Sequence, residues 1–126
     1  MNKQKRILVV DDDDQILTVW RGALLKYAER WCVETARCGH EGLEALQRTS
    51  FDLVVTDLRM PGITGRDLTE AVRRMVGNVP VIWITAFPQS DIQANAEALG
   101  VHSLLYKPLS ITQMRQAVLN VLGNEN

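Results

Sequence analysis

Cysteine, unbalanced charge and long apolar runs are all scarce in this chain, and each shortage excludes something. Cys32 and Cys38 are too few for a disulfide framework and too far apart for a CxxC pair, so both are expected as reduced thiols in or near a strand. Lysine and arginine number 14 against 15 acidic residues, a formal net charge of −1, which removes the basic footprint of a direct nucleic-acid binder. No apolar run approaches the roughly 18 residues of a membrane span. Met1-Asn-Lys-Gln-Lys-Arg6 leads straight into a strand rather than a signal-peptide core, so no membrane association and a cytoplasmic location are expected. Linkers, repeats and low-complexity stretches are missing too, and 126 residues with 46% apolar and 23% charged composition suit one ordinary domain over 1–126. His40 and His102 read as loop or surface positions.

What is present is a regular alternation. Arg6–Val10, Trp31–Ala36, Leu53–Val55, Val79–Ile84 and Val101–Tyr106 are short β-branched or apolar runs that read as strands. Between and after them the period changes to that of helices. Ile16, Trp20, Leu24 and Tyr27 share one face of a helix starting near Asp14, with Asp13 or Asp14 as N-cap. Glu41–Thr49 is helical with Leu43 and Leu46 inward and Gly39 as turn punctuation. Thr64-Gly-Arg-Asp67 is a variant capping box opening a helix whose inner face is Leu68, Val72 and Met75, stopped by Gly77-Asn78. Ser90–Leu99 carries Ile92, Ala96 and Leu99 on one face and ends at Gly100 as C′. Ser110-Ile-Thr-Gln113 caps a last helix with Ile111, Met114, Val118, Val121 and Leu122 inside. Five strands each followed by a helix imply an α/β fold: a parallel sheet covered on both faces.

In an open sheet of this kind the ligand crevice lies beyond the carboxyl ends of the strands. The polar residues ending strands are Asp11 and Asp12, Asp57, Thr85 and Lys107, all distant in sequence. Asp57 closes a run of buried type, where an isolated carboxylate is costly unless cations or donors answer it. Its carboxylate therefore reads as a nucleophile for a phosphoryl group, with the acidic run Asp11–Asp14 as a metal site and Lys107 as a fixed positive charge. Crowded carboxylates raise one another's pKa, and a hard divalent cation with oxygen ligands, magnesium above all, keeps them ionised.

The segments Ile7-Leu-Val-Val-Asp-Asp12, Phe51-Asp-Leu-Val-Val-Thr-Asp57 with Met60-Pro-Gly62, Val81-Ile-Trp-Ile-Thr-Ala86 and Lys107-Pro108 occur in order and span nearly the whole chain. Together they resemble the receiver domain of two-component response regulators, of the chemotaxis-regulator kind. The resemblance implies a single flavodoxin-like, doubly wound sheet of order 2-1-3-4-5 flanked by five helices. It implies that Asp57 accepts a phosphoryl group from a sensor histidine kinase or histidine phosphotransfer domain, without multiple turnover. It also implies Mg2+, with Mn2+ as a substitute, bound directly by Asp12 and Asp57, by Asp11 through a water and by the Arg59 backbone carbonyl. Lys107, the Thr85 hydroxyl and the Ala86 amide would then bind the phosphoryl oxygens. A homodimer through the fourth helix, fifth strand and fifth helix is a partner the resemblance allows.

Two positions depart from the family's pattern. The aromatic usually found before the lysine is Leu104 here, so Tyr106, two residues on and on the same side of the strand, is expected to take over part of its switching role beside Thr85. Arg59 and Phe87 stand where residues flank the water that removes the phosphoryl group, and apolar Phe87 predicts slow self-dephosphorylation. Two rivals have other signatures: an inactive adaptor would not need Asp57, Thr85 and Lys107 intact, and a magnesium phosphohydrolase generally wants a carboxylate where Arg59 stands.

Overall fold

The computed structural model describes residues 4–86 and 90–123. Five strands, β1 (Lys5–Val10), β2 (Trp31–Ala36), β3 (Leu53–Asp57), β4 (Val81–Thr85) and β5 (Ser103–Tyr106), form one parallel sheet of order β2-β1-β3-β4-β5. The helices are α1 (Asp14–Leu24), α2 (Gly39–Arg48), α3 (Gly65–Met75), α4 (Ile92–Ala98) and α5 (Ile111–Leu122), with a 3-10 turn over Leu25–Tyr27 after α1. The strand order and the βα alternation agree with the expectation from sequence.

Side chains alternate across a strand, so each central strand feeds two cores. Leu8, Val10, Val54, Val81 and Trp83 pack on one face with Leu46, Leu68, Val72 and Ile92 from α2, α3 and α4. Ile7, Val9, Val55, Ile82 and Ile84 pack on the other with Trp20, Leu24, Met114 and Val118 from α1 and α5. Because β3 is buried along its whole length, Asp57 ends a strand with no solvent-facing side.

Capping fixes where the helices begin. Asp13, not Asp14, is the N-cap of α1, its carboxylate accepting from the amides of Gln15 and Ile16. Thr64 with Asp67 and Ser110 with Gln113 form reciprocal capping boxes as predicted.

Several boundaries and faces differ from the sequence reading. Gly39 is the first residue of α2 rather than a turn, capped by the Cys38 sulfur, and it is a close-approach glycine: a Cβ there would lie 2.6 Å from Ile63 Cβ. β4 starts at Val81, after Pro80, which has no amide to give the ladder, and β5 starts at Ser103. Met75 is 44% exposed: the inner stripe of α3 runs through Leu68, Thr69, Ala71 and Val72, and at the end of the helix Arg73 turns inward onto backbone carbonyls instead. Ile111 is 43% exposed because it is the first residue of α5, following the exposed Ser110, and only from Met114 does the helix meet the core.

Gly65 is the tightest point near the sheet edge. Its amide donates to Leu58 O, and an added Cβ would overlap Asp57 O and lie 2.9 Å from Leu58 Cα. Gly65→Ala is expected to destabilise the fold by about 1–3 kcal/mol, the usual cost of overpacking. A urea titration checks it; an unchanged midpoint contradicts it.

Candidate functional site

The ladder hydrogen bonds continue past the strands and position the residues that follow them. Asp11 N donates to Ala36 O at 3.1 Å, Leu58 N to Ile84 O at 3.1 Å and Lys107 N to Thr85 O at 2.8 Å. The Thr56 hydroxyl donates to Asp57 O at 2.8 Å, holding the strand end from within. These bonds bring segments of β1, β3 and β5 to one edge of the sheet.

There Asp11, Asp12 and Asp57 each offer a carboxylate oxygen, all within 4.8 Å of one another. Asp11 (3% exposed) and Asp57 (7% exposed) are buried and Asp12 is open to solvent. Lys107 Nζ lies 3.1 Å from Asp11 Oδ2 and 3.4 Å from Asp57 Oδ2. The other Asp11 oxygen accepts from the Asp13 amide at 2.9 Å, and the Arg59 amide bonds the Asp57 carboxylate. The lysine's shorter contact is with Asp11, a pairing that sequence reasoning did not single out. No spacing signal could have found it, because the two residues lie 96 positions apart.

Burial pushes the Asp57 carboxyl above the usual range, and the Lys107 ammonium and the Arg59 amide take back only part of that rise. Asp11 is raised for the same first reason, with Asp57 adding to the rise and the Asp13 amide and Lys107 opposing it. Burial pulls the Lys107 ammonium down, but its two carboxylate neighbours together outweigh that and leave its pKa above the ordinary lysine value. The charge on Lys107 is therefore present throughout the physiological range.

This donor set fits a small hard cation. Magnesium takes oxygen ligands in an octahedron at about 2.0–2.1 Å, so its ligand oxygens stand about 3–4 Å apart, and a modest contraction of the three carboxylates reaches that. Asp11 is already engaged through both oxygens, whereas Asp12 is exposed and open to coordinate. A cation here competes with protons on carboxylates that hold them more tightly than free ones. Mg2+ binding followed by calorimetry is thus expected to begin weakening on acidification before the ordinary carboxylate pKa of 3.8 is reached. Affinity that stays flat until that value contradicts it.

The remaining predicted residues surround this cluster unevenly. Thr85 is 1% exposed at the end of β4 and pairs in register with Tyr106, while Ala86 is exposed just beyond it. Leu104 packs against the core beside Trp83, its register partner, but Tyr106 is 44% exposed and is not inserted there. Trp83 is buried instead, its indole N–H donating to Thr69 Oγ1 at 2.8 Å. Arg59 is exposed beside Asp57, and Phe87 lies outside the described residues. Next to Lys107 an apolar depression is lined by Ile16, Val19, Trp20, Ala86, Pro108 and Leu109, between α1 and the segment that enters α5.

Residues 7–119 match the family described as the response regulator receiver domain. The chain belongs to that family. Among solved structures, this receiver domain is similar to the chemotaxis protein CheY4 of Vibrio cholerae, with a TM-score of 0.87 and 26% identity over 94% of this chain and 99% of that one. The non-phosphorylated HemR receiver domain of Leptospira biflexa gives a TM-score of 0.86 and 26% identity, covering 98% of each chain. Its relatives in sequence include the transcriptional regulatory protein GlrR of Escherichia coli (strain K12), 35% identical over 121 residues. The sensor protein GacS of Pseudomonas syringae pv. syringae is 31% identical over 127 residues. This receiver domain spans 27% of the first relative's length and 14% of the second's. Among the described residues no helix is long and apolar enough to cross a membrane.

Proposed function

We propose that Asp57 is the residue of this receiver domain that takes the phosphoryl group, in a Mg2+-dependent transfer from the phosphohistidine of a sensor histidine kinase or histidine phosphotransfer domain. The observation that supports this most strongly is the meeting of Lys107 Nζ with both Asp57 and Asp11 beside a three-carboxylate cluster. An Asp57 oxygen attacks phosphorus, the P–N bond to the imidazole breaks with its electron pair leaving on nitrogen, and an acyl phosphate remains. Lys107 donates to the phosphoryl oxygens as charge develops on them, with the Thr85 hydroxyl and Ala86 amide as further donors. Magnesium held by Asp12, Asp57 and the Arg59 carbonyl, with Asp11 one water away, would supply the remaining charge neutralisation.

The partner has to reach Asp57 from outside the sheet edge, and the apolar depression beside Lys107, with Val19 47% exposed on α1, suits a packed protein contact there. We read 1–126 as one cytoplasmic receiver domain that signals by conformation to an output domain or protein partner, without contacting nucleic acid itself. Tyr106 and Ile111, both exposed, support a homodimer through the α4, β5 and α5 face. Thr85 with Leu104 and Tyr106 forms the switch, in which exposed Tyr106 has room to change position.

The test is incubation with acetyl phosphate. One equivalent of acid-labile phosphate per chain, abolished by chelation, is expected; steady release of phosphate far beyond one equivalent would instead mark a hydrolase. Arg59 and Phe87 offer no carboxylate to orient an attacking water, so the phosphoryl group is expected to persist for minutes or longer after donor removal. A lifetime of seconds contradicts that.

A further inference from the structure

Arg73, in the last turn of α3, takes no part in the site described above, and its side chain is occupied in an unusual way. Among the described residues it makes four hydrogen bonds, each to a backbone carbonyl: Nε to Leu99 at 2.7 Å, Nη1 to Gly77 at 2.8 Å and Val79 at 2.7 Å, and Nη2 to Gly100 at 3.0 Å. Gly77 and Val79 belong to the turn from α3 into β4, whereas Leu99 is the C-cap of α4 and Gly100 the residue after it. Carbonyls at a helix end have no intrahelical amide and carry the negative end of the helix dipole, so a cation with several donors is well matched to them. The planar fork of a guanidinium can serve two chain segments at once; an ammonium on a flexible stem cannot reproduce that geometry.

The opposite end of α4 is held differently. Its N-cap residue Asp91 makes no side-chain capping bond. Beneath the first turn lies a cavity of about 230 Å³ whose walls include Leu58, Trp83, Thr85, Ile92 and Asn95. Ile92 and Ala96 pack on the core, but packing contacts allow sliding and tilting where directional bonds do not. A helix of 7 residues is therefore clasped at its C-terminal end, while among the described residues its N-terminal end borders a cavity walled partly by Thr85.

We propose that Arg73 is the fixed pivot about which α4 turns: its first turn moves against the cavity beside Thr85 while its clasped end stays in place. This rests on the reading that Asp57 is phosphorylated, and it makes Arg73 a positioning residue for the switch rather than a catalytic one.

Amide hydrogen exchange on the full chain, with and without Mg2+ and beryllofluoride as phosphoryl mimic, tests it. The Asn95 amide closes the first turn onto Asp91 O, and the Val101 amide bonds Ala96 O at the clasped end. In the native chain beryllofluoride is expected to change exchange at Asn95 by about tenfold and to leave Val101 within about twofold. Arg73→Gln and Arg73→Lys are both expected to speed exchange at Leu99 to Val101 about tenfold before any ligand is added, and to let the beryllofluoride response spread to that end. Magnesium affinity should stay within about twofold, since Arg73 touches none of the carboxylates.

Equal responses at Asn95 and Val101 in the native chain overturn the pivot, and that comparison needs no variant to fold. Variants that lose protection everywhere but keep the native contrast between the two ends overturn it as well, because that is what a merely structural arginine would give. Absence of any magnesium-dependent beryllofluoride binding overturns the phosphoacceptor reading and the switch together, and calorimetry distinguishes it from failure of the pivot alone.

Discussion

Asp57→Asn is expected to abolish acid-labile phosphate incorporation from acetyl phosphate while making the metal-free protein more stable at neutral pH. The loss of chemistry follows because an amide has no anionic oxygen to attack phosphorus. The gain in stability follows from linkage. Burial raises the Asp57 carboxyl in the fold above its unfolded value of 3.8, so the folded chain holds this proton more tightly than the unfolded one. Stability is thus lost as pH rises from the unfolded pKa through the folded one, and the penalty is complete above it. Asparagine carries no such penalty, so the two proteins should converge in thermal midpoint on acidification and diverge toward neutrality. Magnesium should narrow that difference: at tenfold over Kd it adds about 1.4 kcal/mol to the native protein. An Asp57→Asn variant that is less stable than the native chain without metal would contradict this account of the cluster.

Lys107→Ala is expected to slow phosphoryl incorporation by about 10²-fold, the cost of losing one preorganised donor from a developing oxyanion. The same variant should bind magnesium more tightly at mildly alkaline pH. Lys107 sits 3.1 Å from Asp11 and 3.4 Å from Asp57, and removing its charge leaves the carboxylates facing the metal unopposed. Both carboxyls should then rise further in pKa, so the tighter binding should vanish on acidification. These opposite changes separate a lysine that serves the chemistry from one that only supports the fold, whose loss would weaken metal binding and phosphorylation alike. Calorimetry and a phosphate-incorporation time course measure the two halves independently.

Much of this architecture was legible because the chain states it locally. The β-branched run before Asp57, the capping boxes at Thr64 and Ser110 and the stop at Gly100 are all short-range signals, and each appears where it was expected. Asp11, Asp12, Asp57 and Lys107 could be gathered because a parallel sheet brings strand ends to one edge whatever their separation in sequence. What escaped was decided by tertiary packing. The inward position on the last turn of α3 went to Arg73 rather than Met75, since carbonyls from two loops converge there and need a donor. Gly39 reads as a turn residue until Ile63 is placed against it. The preference of Lys107 for Asp11 depends on the Asp13 amide holding that carboxylate in place, a contact that periodicity does not reveal. The exposure of Tyr106 likewise follows from its place at the end of edge strand β5, while Trp83 of central β4 fills the interior beside Leu104.

The carboxylate at the end of β3 is expected to become an acyl phosphate. Borohydride reduction of the chain after treatment with acetyl phosphate and Mg2+, followed by mass spectrometry of its peptides, reads this directly, because an aspartyl phosphate is reduced to homoserine. Homoserine is expected at position 57 alone, and only when magnesium is present. Homoserine at Asp11 or Asp12, or an unmodified Asp57 in a folded, magnesium-binding chain, would contradict it.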